Sequence, residues 1–119
     1  LSVEFYPNIS HADLSTLYTR ARIYWHAAGY GIDEKKNPEL TEHFGITTVE
    51  AISAGCIPLV VPYGGQREIV TSSNYHWENQ QELIEKTLSL TQALPNLEIN
   101  IAPYSLESFK SQLAGIIKI

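Results

Sequence analysis

Apolar residues in this chain recur with two different spacings, which together predict alternating strands and helices. Runs rich in β-branched and aromatic residues predict short strands at 3–6, 23–26 and 58–61, and a weaker strand at 74–77. Helical spacing predicts helices over 10–22, 45–54 and 79–92, and a last helix that follows Ser105. The strand at 23–26 is apolar and aromatic enough to be predicted as buried on both faces.

Residue types that cap helix N-termini stand at the predicted helix starts. Ser10 precedes the acidic Asp13 by three positions, which is a loose capping box. Asn79 and Ser105 take the same place before the last two helices. The glycine pair in 63–66 predicts a tight turn, followed by a short helical piece over 67–70.

The segment 42–55 fits two types of element, because β-favouring residues from Phe44 to Val49 also suit a short strand. Two features favour a helix. The stretch from Gly45 to Ala54 is long for an unpunctuated strand, and the small residues before Gly55 are typical of a helix that ends at a glycine cap. We therefore predict a helix that starts at Gly45 and leads into a buried strand.

Repeated strand–helix units predict an α/β fold with a doubly wound parallel sheet and right-handed crossovers, in a single domain over residues 1–119. Ligands in such folds bind beyond the carboxyl ends of the strands. Three glycine-bearing segments follow predicted strands or start helices at that edge: 26–30, 42–48 and 63–66. We expect these three segments to converge on one site.

Composition restricts the function classes. The chain has 119 residues, 44% of them hydrophobic, and a net charge of −5, which disfavours a nucleic-acid partner. The single cysteine, Cys56, excludes an internal disulfide and fits a reducing, cytoplasmic compartment, where we expect it to pack as a small hydrophobe. Because His, Cys, Asp and Glu do not fall at ligand spacing, we predict neither a metal nor a cofactor; membrane association is left open. Since methionine is absent, we expect a piece of a longer protein.

The predicted helix start at Gly45 carries the candidate chemistry. Its free backbone N–H groups and positive dipole end suit a phosphate. Glu42 lies just before the start, and Glu50 lies roughly 7 Å further along the axis at ~1.5 Å per residue. Carboxylates accept hydrogen bonds from hydroxyls, so the pair suits two polyols joined by a diphosphate, as in a nucleotide-sugar. His26, Gly64 and Gly65 are further candidates at the same edge, either as site residues or as a satisfied histidine and a plain turn.

A composite motif in 42–70 resembles the signature of the family-4 retaining glycosyltransferases of the GT-B fold. It comprises two glutamates with seven residues between them, including phenylalanine-glycine, and then alanine-glycine, proline and a glycine pair. In this sequence these are Glu42, Phe44-Gly45, Glu50-Ala51, Ala54-Gly55, Pro58, Gly64-Gly65 and Glu68-Ile69-Val70. The pattern extends over residues 10–90, and the combination is far more specific than paired glutamates alone.

The resemblance implies a Rossmann-like, incomplete C-terminal half-domain that binds a nucleotide-diphosphate sugar, the acceptor being bound by an N-terminal domain that this sequence lacks. It implies that Glu42, the predicted catalytic position, contacts hydroxyls of the transferred sugar and that Glu50 contacts the ribose. Donor contacts would come from the backbone around the first helical turn, at Phe44, Gly45, Ile46, Thr47 and Thr48. The family's arginine and lysine for the diphosphate match nothing here, so we expect the isolated chain to be inactive.

Two other functions remain open from the residues. A non-catalytic doubly wound binding or regulatory module would have the same pattern of elements, but a phosphoacceptor acid is missing after Trp25-His26 and at Tyr63. A dinucleotide oxidoreductase would need a G-x-G-x-x-G turn after a strand, and Gly29-x-Gly31 lacks its third glycine.

Overall fold

A computed structural model describes residues 2–93, 95 and 99–117, without the side chains of residues 109, 113, 116 and 117. Within these residues the helices are α1 (His11–Arg20), α2 (Ile46–Ser53), α3 (Gly65–Ile69), α4 (Gln80–Gln92) and α5 (Leu106–Ile117). The strands are β1 (Ile23–His26) and β2 (Ile57–Val60), and single 3₁₀ turns occupy Pro38–Leu40, Ser73–Tyr75 and Ala102–Tyr104. In the described part of the chain, no helix has both the length and the apolar character needed to cross a bilayer.

The predicted caps start three of these helices. The Ser10 hydroxyl accepts a hydrogen bond from the Asp13 N–H at 3.1 Å, and the Asn79 side chain accepts one from the Glu82 N–H at 2.9 Å. The Ser105 hydroxyl does the same for Ser108 at 3.1 Å. Because each cap satisfies an N–H that has no partner inside its helix, these boundaries follow from local sequence.

The ambiguous segment is a helix, as predicted. Gly45 stands before α2 in the left-handed region, with φ of 90°, and its carbonyl accepts the Val49 N–H at 3.1 Å. After α2, Gly55 again has a positive φ, of 98°, and its N–H donates to the Ile52 carbonyl. Glycine adopts such angles at little cost, so the two glycines set the ends of α2.

The two strands pair in parallel, from Ile23 opposite Ile57 to His26 opposite Val60. The fourth predicted strand, at 74–77, is wrong except for one bridge between Val60 and His76. The Ser72 hydroxyl accepts the Asn74 N–H and curls this segment into a 3₁₀ turn, so only its end reaches β2.

Apolar side chains cover β2 on both faces, since successive strand residues point to opposite sides. Val60 packs with residues of α2, α3 and the position after α3: Ile52, Ile69 and Val70. Leu59 and Val61 pack on Trp77 and on the α4 residues Leu83 and Leu90. The buried Cys56 packs with Tyr18 and Ala51, as expected of a small hydrophobe. The molecule is therefore a small mixed α/β structure with helices on both sides of a parallel strand pair.

Two predictions are wrong: the strand at 3–6 and the burial of β1 on both faces. Residues 3–6 form no strand, and Val3 and Phe5 are 75% and 86% exposed, because the described residues place no ladder beside them. β1 is not buried on both faces, since Trp25 is 56% exposed and its indole N–H donates to the Thr87 hydroxyl at 3.1 Å. A β-former becomes a buried strand only when another strand or helix covers it.

Candidate functional site at the start of helix α2

The loop before α2 is folded by the side chain of its own glutamate. One carboxylate oxygen of Glu42, Oε1, accepts the backbone N–H groups of Phe44 and Gly45, each at 3.3 Å. The Glu42 carbonyl also accepts the Gly65 N–H at 2.7 Å. Glu42 thus shapes the approach to the helix and joins it to α3.

The first turn of α2 presents free donors. The backbone N–H groups of Ile46, Thr47 and Thr48 have no partner among the residues described. Ile46 is 61% exposed and Phe44 is 47% exposed, so the beginning of this turn opens to solvent, whereas Thr48 is fully buried. Unpaired N–H groups at the positive end of a helix dipole favour an anion. The sequence placed donors from Phe44 to Thr48, whereas the structure engages the first two with Glu42.

Glu42 and Glu50 both lie close enough to Tyr24 for their charges to act on its hydroxyl. Burial raises the pKa of Tyr24, and the charges of Glu42 and Glu50 raise it further against the lowering effect of the bond to Thr47. The two hydroxyl oxygens of Tyr24 and Thr47 are 2.8 Å apart. Tyr24 was not predicted as a site residue, although its position two residues before His26 puts both on one face of β1.

His26 reaches the second oxygen of Glu42. Its Nε2 lies 3.7 Å from Glu42 Oε2, and the side chains are 14% and 33% exposed, respectively. Burial lowers the pKa of His26, and the opposing effect of the Glu42 charge is smaller. At neutral pH the imidazole is therefore neutral, and the 3.7 Å separation exceeds a direct hydrogen bond.

Gly64 and Gly65 bring a second backbone segment against the loop. A Cβ on Gly64 would lie 2.1 Å from the Glu42 carbonyl oxygen, and one on Gly65 would lie 2.5 Å from the carbonyl oxygen of His43. The predicted tight turn over 63–66 is wrong in extent, because α3 already begins at Gly65. Only glycines permit this approach, so the pair holds the loop that carries Glu42.

Gln66 is a residue that sequence reasoning missed as part of the site. Its side chain is fully buried, and its Nε2 lies 3.4 Å from Nδ1 of His26. A Cβ at Gly45 would lie 3.0 Å from the same Nε2, so the glycine before α2 also makes room for this amide. His26 and Gln66 are 40 positions apart, and no periodic signal in the sequence would have predicted their contact.

The three glycine-bearing segments converge, as predicted from the strand ends. A Cβ on Gly29 would lie 3.4 Å from the Tyr63 ring, which brings the 26–30 segment to the 63–66 segment. Beside them lies an open groove of about 620 Å³ lined by Glu34, Thr41, His43 and Arg67, among others. Arg67 is ion-paired with Glu34, which also accepts the Gly64 N–H at 3.4 Å. Of the residues described, no cluster of three or more His, Cys, Asp or Glu could hold a metal ion.

The sequence of this chain is similar to a known protein family over a stretch that includes the whole candidate site. A family model described as glycosyl transferases group 1 matches residues 2–100. Neither the comparison with curated proteins nor that with solved structures gives a significant match. Because the matched stretch includes both strands, helices α1 to α4 and the whole candidate site, the chain belongs to the group 1 glycosyl transferases.

Proposed function

We propose that this chain is the donor-binding part of a retaining, family-4 type glycosyltransferase, and that the start of α2 receives the diphosphate of a nucleotide-sugar. One observation carries the proposal. The unpartnered N–H groups of Ile46 and Thr47 stand at a solvent-open helix start, with the unpartnered N–H of the buried Thr48 in the same turn, and the charges of Glu42 and Glu50 both act on Tyr24. Family membership makes a sugar donor the natural ligand for such a site.

The two carboxylates bind different parts of the nucleotide-sugar. Glu42 lies before the helix start and accepts hydroxyls of the transferred sugar, next to the anomeric carbon where bonds change. Glu50 lies roughly 6 Å along the axis from Ile46, at ~1.5 Å per residue, and accepts the ribose hydroxyls. A diphosphate between them gains from the helix dipole, while each carboxylate meets a hydroxyl rather than a phosphate oxygen.

The wider architecture proposed is the C-terminal half of a GT-B enzyme with a doubly wound, Rossmann-like sheet. Helices on both faces of β2 support it, and the site lies beyond the carboxyl ends of β1 and β2. The acceptor would then be bound by a separate N-terminal domain that faces this edge.

The chain by itself binds the donor without transferring the sugar. A helix dipole stabilises an exposed anion by about 1 kcal/mol. Enzymatic acceleration requires a barrier lowered by ~8 kcal/mol or more. Arg67, the nearby cation of the groove, is already paired with Glu34, so the described residues offer the leaving diphosphate little further charge.

Calorimetric titration tests the division of roles. UDP-glucose and GDP-mannose are each compared with the corresponding nucleoside diphosphate on the wild type and on Glu42→Gln and Glu50→Gln. Hydrogen bonds to a charged group predict that Glu42→Gln weakens only the sugar-bearing ligands, by about tenfold or more. Glu50→Gln should weaken both ligand types equally.

Glu107→Gln, at an exposed position in α5, is the matched control and should bind like the wild type. Failure of every nucleotide ligand to bind would refute the proposal, as would effects of Glu42→Gln and Glu50→Gln no larger than that of the control.

A further inference from the structure

A buried amide lies directly behind the candidate site. Gln66 is fully buried, and its Oε1 has no hydrogen-bond partner in the described part of the chain. Burying an amide oxygen without a partner costs free energy, and an apolar side chain of similar size would avoid that cost. The contact that remains to the amide is the one between its Nε2 and Nδ1 of His26, at 3.4 Å.

The charge on Glu42 determines which end of the Gln66 amide faces His26 and which ring nitrogen carries the proton. If Gln66 Oε1 faced the imidazole, it could only accept a hydrogen bond, so Nδ1 of His26 would have to carry the ring proton. In a neutral ring, Nε2 of His26 would then present its lone pair to the Glu42 carboxylate, which lies 3.7 Å away. That arrangement is repulsive. With Nε2 of Gln66 donating to Nδ1, the ring proton sits on Nε2 and faces the carboxylate, which is attractive.

We infer that Gln66 is a positioning residue that holds His26 in its Nε2–H tautomer and so aims a hydrogen-bond donor at the space beside Glu42 Oε2. Gln66 acts through His26 and touches no ligand. Its own placement depends on Gly45, where a Cβ would meet the amide at 3.0 Å, and on α3, which the glycine pair seats against the loop.

The consequence for ligand recognition, which rests on the proposed function, concerns a single sugar hydroxyl. The Nε2–H of His26 and Oε2 of Glu42 are too far apart to bond each other well, yet both reach one oxygen placed between and outside them. A hydroxyl there accepts from the imidazole and donates to the carboxylate. A methyl ether or deoxy sugar could not satisfy both groups.

Nitrogen-15 NMR of the imidazole side chains in the ligand-free chain tests the inference directly. Above about pH 7.5, where a histidine is neutral, the His26 spectrum should show a protonated Nε2 and an unprotonated Nδ1. Gln66→Glu keeps the side-chain volume but places an acceptor beside Nδ1, so Nδ1 should become protonated. Gln80→Leu, at an exposed position in α4, should leave the tautomer unchanged.

A wild-type ring protonated on Nδ1, or a tautomer unaffected by Gln66→Glu, overturns the inference. If Gln66→Leu folds, it should lose the tautomer preference; if it does not fold, the wild-type and Gln66→Glu spectra decide. These spectra need no ligand, so they judge Gln66 even if the proposed function fails.

A second titration tests the hydroxyl contact. Gln66→Leu or Gln66→Glu should weaken UDP-glucose or GDP-mannose by about fivefold, the worth of one hydrogen bond, with the affinity for UDP or GDP unchanged. Equal losses for sugar and nucleotide ligands would contradict this contact, whereas absence of all binding would refute the proposed function and leave the tautomer spectra to decide the role of Gln66.

Discussion

Replacing Gly65 by alanine is expected to displace the loop on which the site depends. The added Cβ would lie 2.5 Å from the carbonyl oxygen of His43, 2.6 Å from that of Phe44 and 2.7 Å from the Phe44 Cα. All three atoms belong to the backbone, so no flexible side chain can move aside. The Gly65 N–H also donates to the Glu42 carbonyl at 2.7 Å, so the clash would disturb the hydrogen bond that joins α3 to the loop.

The cost follows from the crowding. Overpacking of this kind lowers the free energy of unfolding by about 1–3 kcal/mol. This loss is larger than the gain of about 0.5–1 kcal/mol that alanine normally brings to a helix position. We expect a net loss of up to about 2.5 kcal/mol, and a fall in Tm of several degrees.

Urea unfolding followed by fluorescence, together with amide NMR spectra, measures both effects. The midpoint should fall, and amide shifts should concentrate in residues 42–48. Gly115→Ala is the matched control, since Gly115 is also helical and a Cβ there meets nothing within 4 Å among the described residues. A Gly65→Ala chain as stable as Gly115→Ala, with unchanged loop amides, would show that α3 is not seated as described.

Three further outcomes are expected from urea unfolding. Asn79→Ala should lower the free energy of unfolding by about 1 kcal/mol through loss of the α4 cap, and Asn79→Gly by only a few tenths; equal losses would disprove the cap. Since the folded pKa of His26 lies below its ordinary 6.5, the unfolded chain takes up the proton first. The free energy of unfolding should therefore decrease as the pH falls from about 6.5 through the folded pKa of His26. His26→Gln should make this decrease smaller. Trp77→Phe should cost about 1–3 kcal/mol by leaving the buried Leu59 carbonyl without its donor, and a neutral result would contradict that bond.

Features set by neighbouring residues could be predicted from the sequence. Ser10, Asn79 and Ser105 cap their helices through N–H groups three residues away, and Gly55 ends α2 through its own backbone angle. The parallel pairing of β1 and β2 followed from the helix between them. In each case the residue and its partner lie within one local unit, or the topology leaves few alternatives.

Features set by distant partners could not be predicted. Trp25 is a strong strand former, but its exposure depends on what packs against β1 rather than on its own type. Gln66 reads as an ordinary polar helix residue, and its burial against His26 arises only when α3 is drawn onto the loop by Gly64 and Gly65. Glu42 differs from these two residues, because its carboxylate accepts the nearby N–H groups of Phe44 and Gly45, a local contact that the sequence analysis did not predict.

The most direct test of the account is an amide NMR titration of the chain with UDP and with GDP. If the start of α2 binds a diphosphate, the N–H signals of Ile46, Thr47 and Thr48 should move most, as expected for donors that gain a charged acceptor. Amide signals of α5 should stay in place. Saturable binding that shifts other residues while leaving these three amides unchanged would contradict the central claim.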